Sequence, residues 1–75
     1  MTKSRNTKTL RVFGNHLRKL RKERRISQET LSYLTESVSL NTISFIERGQ
    51  VNPTLTNLIE IAKALKIPVK ELMDF

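Results

Sequence analysis

Asn41, Thr42 and Ser44 stand close together in "SLNTISFIERG", residues 39–49, with Phe45 and Arg48 just beyond. Amides and hydroxyls donate and accept at short reach, and a planar amide can bond two atoms of one partner. The chemistry such a set suits is recognition rather than bond making. His16 is the only histidine, and it has no nucleophile or second ligand at useful spacing. Its place opposite an apolar stripe suits contact with solvent or phosphate. Glycine-rich phosphate loops, paired catalytic carboxylates and zinc-ligand spacings are absent from the sequence. Neither catalysis nor a metal, a cofactor or a small-molecule ligand is expected.

The charge says what would be recognised. Residues 1–25 hold ten Lys and Arg and one acid, Glu23, for +9, whereas residues 26–75 hold four basic and six acidic residues, for −2. Clustered cations with a sequence pI near 10.4 are the footprint of a polyanion binder. A basic surface kept only for solubility is the bland alternative. Seventy-five residues without cysteine make one small domain, held by packing and capping and fitted to a reducing cytoplasm. The apolar runs are too short to span a bilayer, and no apolar stretch follows the first basic residues, so neither membrane nor secretory signal is expected.

The elements that must position these groups are helices. Residues 1–8 read as a flexible basic arm and 9–75 as the folded domain. Leu10, Phe13, Leu17 and Leu20 recur at helical spacing over 9–24, with Gly14 and His16 off that stripe. Three further helices open on one device: an apolar residue, a hydroxyl residue, and an apolar residue four beyond it. The sets are Ile26-Ser27 with Leu31, Val38-Ser39 with Ile43, and Pro53-Thr54 with Leu58. Each hydroxyl can cap free backbone N–H groups, which predicts helices over 28–35, 40–47 and 55–65. Gly49 sits where a left-handed terminating residue belongs. Leu55, Leu58, Ile61, Ala62 and Leu65 share one side of the fourth helix, and "VKELMDF" gives a last short helix over 69–74. The chain is therefore all-α, with five helices.

On a helical wheel Ile43, Ile46 and the stem of Glu47 point one way. Asn41, Phe45 and Arg48 point the other, with Thr42 and Ser44 on the flanks. A helix anchored by two isoleucines and offering amides and hydroxyls beside a strongly basic segment fits base edges and phosphates in a major groove. Phe45 has two readings: packing on a thymine methyl or sugar, or covering the neighbouring loop.

Ser27-Gln28-Glu29, Ile43-Ser44, Ile46-Glu47-Arg48-Gly49, Asn52-Pro53 and Ile61-Ala62-Lys63-Ala64-Leu65 together resemble the Cro/repressor (XRE) helix-turn-helix family over about residues 10–73. Small members include restriction–modification controller proteins and stand-alone repressors. The resemblance implies a compact lambda-repressor-like fold and a sequence-specific double-stranded DNA-binding transcriptional regulator. It places helix 40–47 in the groove, with Ser39, Leu40, Asn41, Thr42, Ser44 and Phe45 as base-reading residues. Gln28, Arg48, Asn52, Thr54 and Asn57 would contact phosphates, and Arg21 would pair with Glu47. The sequence also departs from the family. Between Leu31 and Val38 lies one residue more than in typical members, and "TES", without glycine, fills the turn. Arg25 stands where glycine is frequent, and Tyr33 or Leu34 must find a place that the common pattern lacks.

One of Leu72, Met73 and Phe75 must close the core above Ile61 and Leu65. The surplus, Met73 and Phe75, is the expected homodimer interface. The second class of function is a protein-interaction module, such as an antitoxin-like domain, for which the short C-terminus leaves little chain. RNA is disfavoured because exposed aromatics for base stacking are nearly absent. The expected place of action is the cytoplasm of a bacterium or phage-infected cell.

Overall fold

The structure, a computed structural model, describes residues 7–75. It contains α1 (Thr7–Glu23), α2 (Gln28–Leu34), α3 (Leu40–Glu47), α4 (Leu55–Leu65) and α5 (Val69–Leu72), and no strand among the described residues. Thr7 and Lys8, read from sequence as part of the arm, form the first turn of α1. Leu10, three residues into the helix, is already buried. Residues 1–6 of the expected arm lie outside the described residues. At the other end α5 stops at Leu72 rather than residue 74.

The hydroxyl caps account for the helix starts. Ser27 Oγ accepts from the Thr30 N–H at 3.0 Å and Ser39 Oγ from the Thr42 N–H at 3.1 Å. Thr54 and Asn57 cap each other, each side chain accepting from the other's N–H at 3.0 Å. Three helices end alike. An N–H just past the helix, the third residue after α1 and α3 and the second after α4, reaches back five residues: Ile26 to Arg21 O, Gln50 to Phe45 O and Ile67 to Ala62 O. This closure places one residue in the left-handed region each time, at Arg25 (φ 58°), Gly49 (φ 72°) and Lys66 (φ 61°). Glycine takes that conformation freely, whereas Arg25 and Lys66 each cost about 1 kcal/mol.

α3 packs on α1 and α2, and α4 on α2 and α5. Leu17, Leu31, Ile43, Ile46, Ile61 and Leu72 are fully buried between them. Of the three C-terminal candidates it is Leu72 that closes the core, leaving Met73 and Phe75 largely exposed. Leu55 departs from the expected stripe: as the first residue of α4 it projects beyond its neighbours, 70% exposed. Tyr33 finds no pocket and stands 86% exposed, and Leu34 is half exposed. Among the described residues no helix is long and apolar enough to cross a membrane.

Gly14 is the larger correction. It falls off the Leu10/Phe13/Leu17/Leu20 stripe, yet it is buried. A Cβ there would lie 2.5 Å from both Ile46 O and Glu47 O. The buried face of α1 therefore includes an edge, Gly14 and Arg21, at which the helix meets the last turn of α3 backbone to backbone.

Candidate nucleic-acid interface

α3 is eight residues long, too short to be stable alone. Ile43 and Ile46 anchor it in the core, and Glu47, 6% exposed, anchors its last turn. Arg21 holds the Glu47 carboxylate with two bonds, Nε to Oε2 at 2.7 Å and Nη2 to Oε1 at 3.0 Å. Its Nη1 donates to Ile26 O at 2.8 Å, so one guanidinium joins α1, the start of α2 and the end of α3. The bond to Glu47 outweighs the cost of burial and raises the Arg21 pKa. This is the pair that the family resemblance implied.

Gln28 is spent partly inside. Its Nε2 donates to Glu47 Oε1 at 2.9 Å, which leaves one amide hydrogen as donor, and the amide oxygen as acceptor, for an outside partner. Ser39 is likewise a cap first, and its Oγ also lies 3.0 Å from Thr42 Oγ1. Asn41, Phe45 and Arg48 are exposed on the outward side of α3, Leu40 is exposed beside them, and Thr42 and Ser44 are half-buried. Phe45 has a role that neither reading of the sequence anticipated. The Arg48 guanidinium stands 5.0 Å from its ring centroid, within cation–π range, and Arg48 Nε donates to Ser44 O at 3.3 Å. Beyond α3, Asn52 and Thr54 are exposed and Asn57 half-buried. Their cap uses one lone pair of Thr54 Oγ1 and of Asn57 Oδ1, and leaves the hydroxyl hydrogen and the amide N–H groups available.

The N-terminal cations divide in two. Arg24 is structural: it donates from Nε to Leu65 O at 3.0 Å and from Nη1 to Leu20 O at 3.1 Å, satisfying carbonyls near the ends of α4 and α1. Arg11, Arg18 and Lys22 are exposed along one stripe of α1, on the flank beside Gly14 and Arg21. The expected solvent or phosphate role of His16 is corrected. It is half-buried, with Nε2 bonded to Glu71 O at 3.1 Å and its ring beside Phe75. The C-terminal tail folds back over α1, so the side of α1 that looked outward in the sequence is covered there. Phe75 also meets Phe13 edge to face, with centroids 5.3 Å apart. With Leu10, Pro53, Leu58 and Met73 these two rings line an apolar hollow of about 140 Å³.

The pattern between α2 and α3 is the one that sequence reading missed. Glu60 of α4 accepts from the N–H groups of Glu36 and Ser37 and from the Ser37 hydroxyl. Those bonds, with Ser37 the largest cause, hold its carboxyl below the usual glutamate value.

Residues 17–72 match the family described as Helix-turn-helix (HTH_3). The chain is 38% identical over 65 residues to Control protein C.BamHI of Bacillus amyloliquefaciens, an alignment covering 85% of this chain and 79% of that one. The crystal structure of the restriction-modification controller protein C.AhdI from Aeromonas hydrophila superposes with a TM-score of 0.83 at 39% identity, covering 88% of this chain and 94% of that one. The DNA-binding domain of BldD superposes with a TM-score of 0.77 at 24% identity, over 89% of this chain and 96% of that one, a likeness of fold.

Proposed function

This chain belongs to the helix-turn-helix family and is a DNA-binding transcriptional regulator, and from that premise we propose that it reads a pseudo-palindromic operator as a homodimer, in the manner of a restriction–modification controller. The observation that carries this reading is the division of α3. Its inward residues are fixed by the core and by Arg21, while Asn41, Phe45 and Arg48 face outward. Asn41 offers a bidentate amide to an adenine edge, and Leu40 or Phe45 an apolar contact to a thymine methyl. Ser39, Thr42 and Ser44 supply hydroxyls at the margins. Gln28 at the start of α2, together with Arg48, Asn52, Thr54 and Asn57, brackets α3 with donors for phosphates. The exposed stripe Arg11, Arg18 and Lys22 adds attraction without sequence preference.

The exposed apolar side chains Leu55, Ile59, Met73 and Phe75 support self-association, because one reading helix per chain gives limited affinity. Two recognition helices would then sit about one DNA turn apart, roughly 34 Å. The protein would act in the cytoplasm. Selection of bound duplexes from a random pool tests the reading and should enrich two related half-sites. Equilibrium sedimentation at tens of micromolar should show the dimer. A pool with no enriched sequence would turn the assignment toward a protein-interaction module.

A further inference from the structure

We propose that Glu60 is a positioning residue for DNA reading: its carboxylate, reaching from α4, gathers the turn between α2 and α3 and so fixes the angle at which α3 meets a duplex. The inference rests on the reading of DNA by α3. It starts from an accounting of backbone donors in residues 35–38. No residue of this turn adopts a positive φ, although it carries an additional residue and no glycine. The Thr35 N–H returns to Leu31 O and Ser32 O. The Val38 N–H reaches Thr35 Oγ1 at 3.2 Å, and Ser32 Oγ donates to Val38 O at 2.9 Å. The N–H groups of Glu36 and Ser37 converge instead on a single atom, Glu60 Oε1, at 2.9 and 2.8 Å. Glu60 Oε2 takes the Ser37 hydroxyl at 2.9 Å. Consecutive N–H groups aimed at one point form an anion cradle, and here the chain supplies its own anion. Lys63, one turn further along α4, favours the ionised carboxylate as well.

The link matters because of what it joins. α3 is pinned at its C-terminal end by Arg21 and Glu47. Its N-terminal end follows directly on the turn, through buried Val38 and the cap Ser39. Because α3 packs chiefly on α1 and α2, the Glu60 bonds tie its N-terminal approach to α4. Eight residues of helix span about 12 Å, so a shift of about 1 Å at that end tilts α3 by roughly 5° and moves Asn41 by nearly the whole shift. A displacement of that size takes a hydrogen bond out of range.

The test compares E60A, E60Q and A64G with the unaltered full chain. One readout is amide exchange in the free protein. The other is the ratio of affinities for a selected and a scrambled duplex at fixed salt. E60A should lower the ratio about tenfold, the effect of one good base contact, with binding to the scrambled duplex unchanged. It should also speed exchange at Glu36 and Ser37 by about tenfold or more. E60Q should stay within about threefold of the unaltered ratio, because its amide oxygen still accepts both N–H groups and its NH2 can donate to Ser37 Oγ. A64G weakens α4 by helix propensity and by the loss of one half-buried methyl, without touching the Glu60 bonds, and should lower the melting midpoint with the ratio intact. An E60A protein with an unchanged ratio overturns the proposal, and so does one with unchanged exchange at Glu36 and Ser37 or an E60Q protein that falls as far as E60A. If the unaltered chain selects no duplex, the reading by α3 fails separately. Exchange then still decides the role of Glu60, faster exchange in E60A supporting it and unchanged exchange overturning it.

Discussion

The two faces of α3 do opposite work. On the inner face Ile43, Ile46 and Glu47 are buried, and Glu47 has its partners fixed by Arg21 and Gln28. On the outer face Asn41, Phe45 and Arg48 stand in solvent, and the ring and guanidinium of the last two hold each other. Asn, Thr, Ser and Phe are weak helix formers, so the sequence of α3 does not make it a helix. The inner contacts and the Ser39 cap do. That frees the outer side chains from any duty in folding, and substitutions on the two faces should separate stability from recognition.

The comparison breaks most severely at the ion pair. Arg21 and Glu47 side chains are only 9% and 3% exposed. Glu47→Ala would leave a buried guanidinium unpaired and take the acceptor from Gln28, while Arg21→Ala would strand the carboxylate. Each should cost about 3–5 kcal/mol, most of the stability of a domain this small. The double variant Arg21→Ala/Glu47→Ala should cost clearly less than the sum. Urea unfolding of all four proteins measures the coupling, and the absence of coupling would remove the pair from its role.

Gly14→Ala attacks the same inner face from α1. The new Cβ would meet two backbone carbonyls at 2.5 Å, and backbone cannot rotate aside as a side chain can. The helices must move apart, at about 2–3 kcal/mol, against a helix-propensity gain of no more than about 1 kcal/mol. A urea midpoint equal to that of the unaltered protein would mean that α1 and α3 do not meet here as described.

On the outer face the loss should appear only in binding. Asn41→Ala should leave the unfolding midpoint nearly unchanged. On the selected duplex it should cost about 1–3 kcal/mol, and far less on a scrambled one. Equal weakening on both duplexes would show that α3 does not read sequence.

This division was largely legible in the residues. Hydroxyl caps at Ser27, Ser39 and Thr54 and apolar spacing gave the starts of α2, α3 and α4, because both signals act within one turn of chain. The Arg21–Glu47 pair spans 26 positions and came from family resemblance, since local periodicity carries no information about distant partners. Gly14 escaped because an apolar pattern marks side chains that pack, and this contact works through the lack of one; a glycine in mid-helix was the available signal. Glu60 escaped for the reason of distance, lying 23 positions from Ser37, although a longer turn without glycine already required acceptors from somewhere. His16 was misread because the returning tail, Glu71 to Phe75, covers the side of α1 that the wheel left open.

The smallest effect decides between the readings of Phe45. Arg48 ends α3 beside the Gly49 turn, with Nε on Ser44 O and its guanidinium over the Phe45 ring. That posture holds the cation along the end of the helix, and a phosphate contact is the role proposed for it. Arg48→Ala should therefore weaken selected and scrambled duplexes alike and reduce the slope of log affinity against log salt by about 0.9, one phosphate contact. Phe45→Ala should then discriminate. If the ring serves chiefly as the platform for Arg48, its loss frees the guanidinium, lowers affinity for both duplexes by a few tenths of a kcal/mol to about 1 kcal/mol, and leaves the preferred sequence unchanged. If the ring packs on a thymine methyl, the loss falls on the selected duplex alone and relaxes the preference at one base pair. Salt titrations of both variants on both duplexes separate the two, and the Arg48→Ala/Phe45→Ala double variant checks the coupling. As platform and cation the two losses should overlap, whereas independent contacts should add.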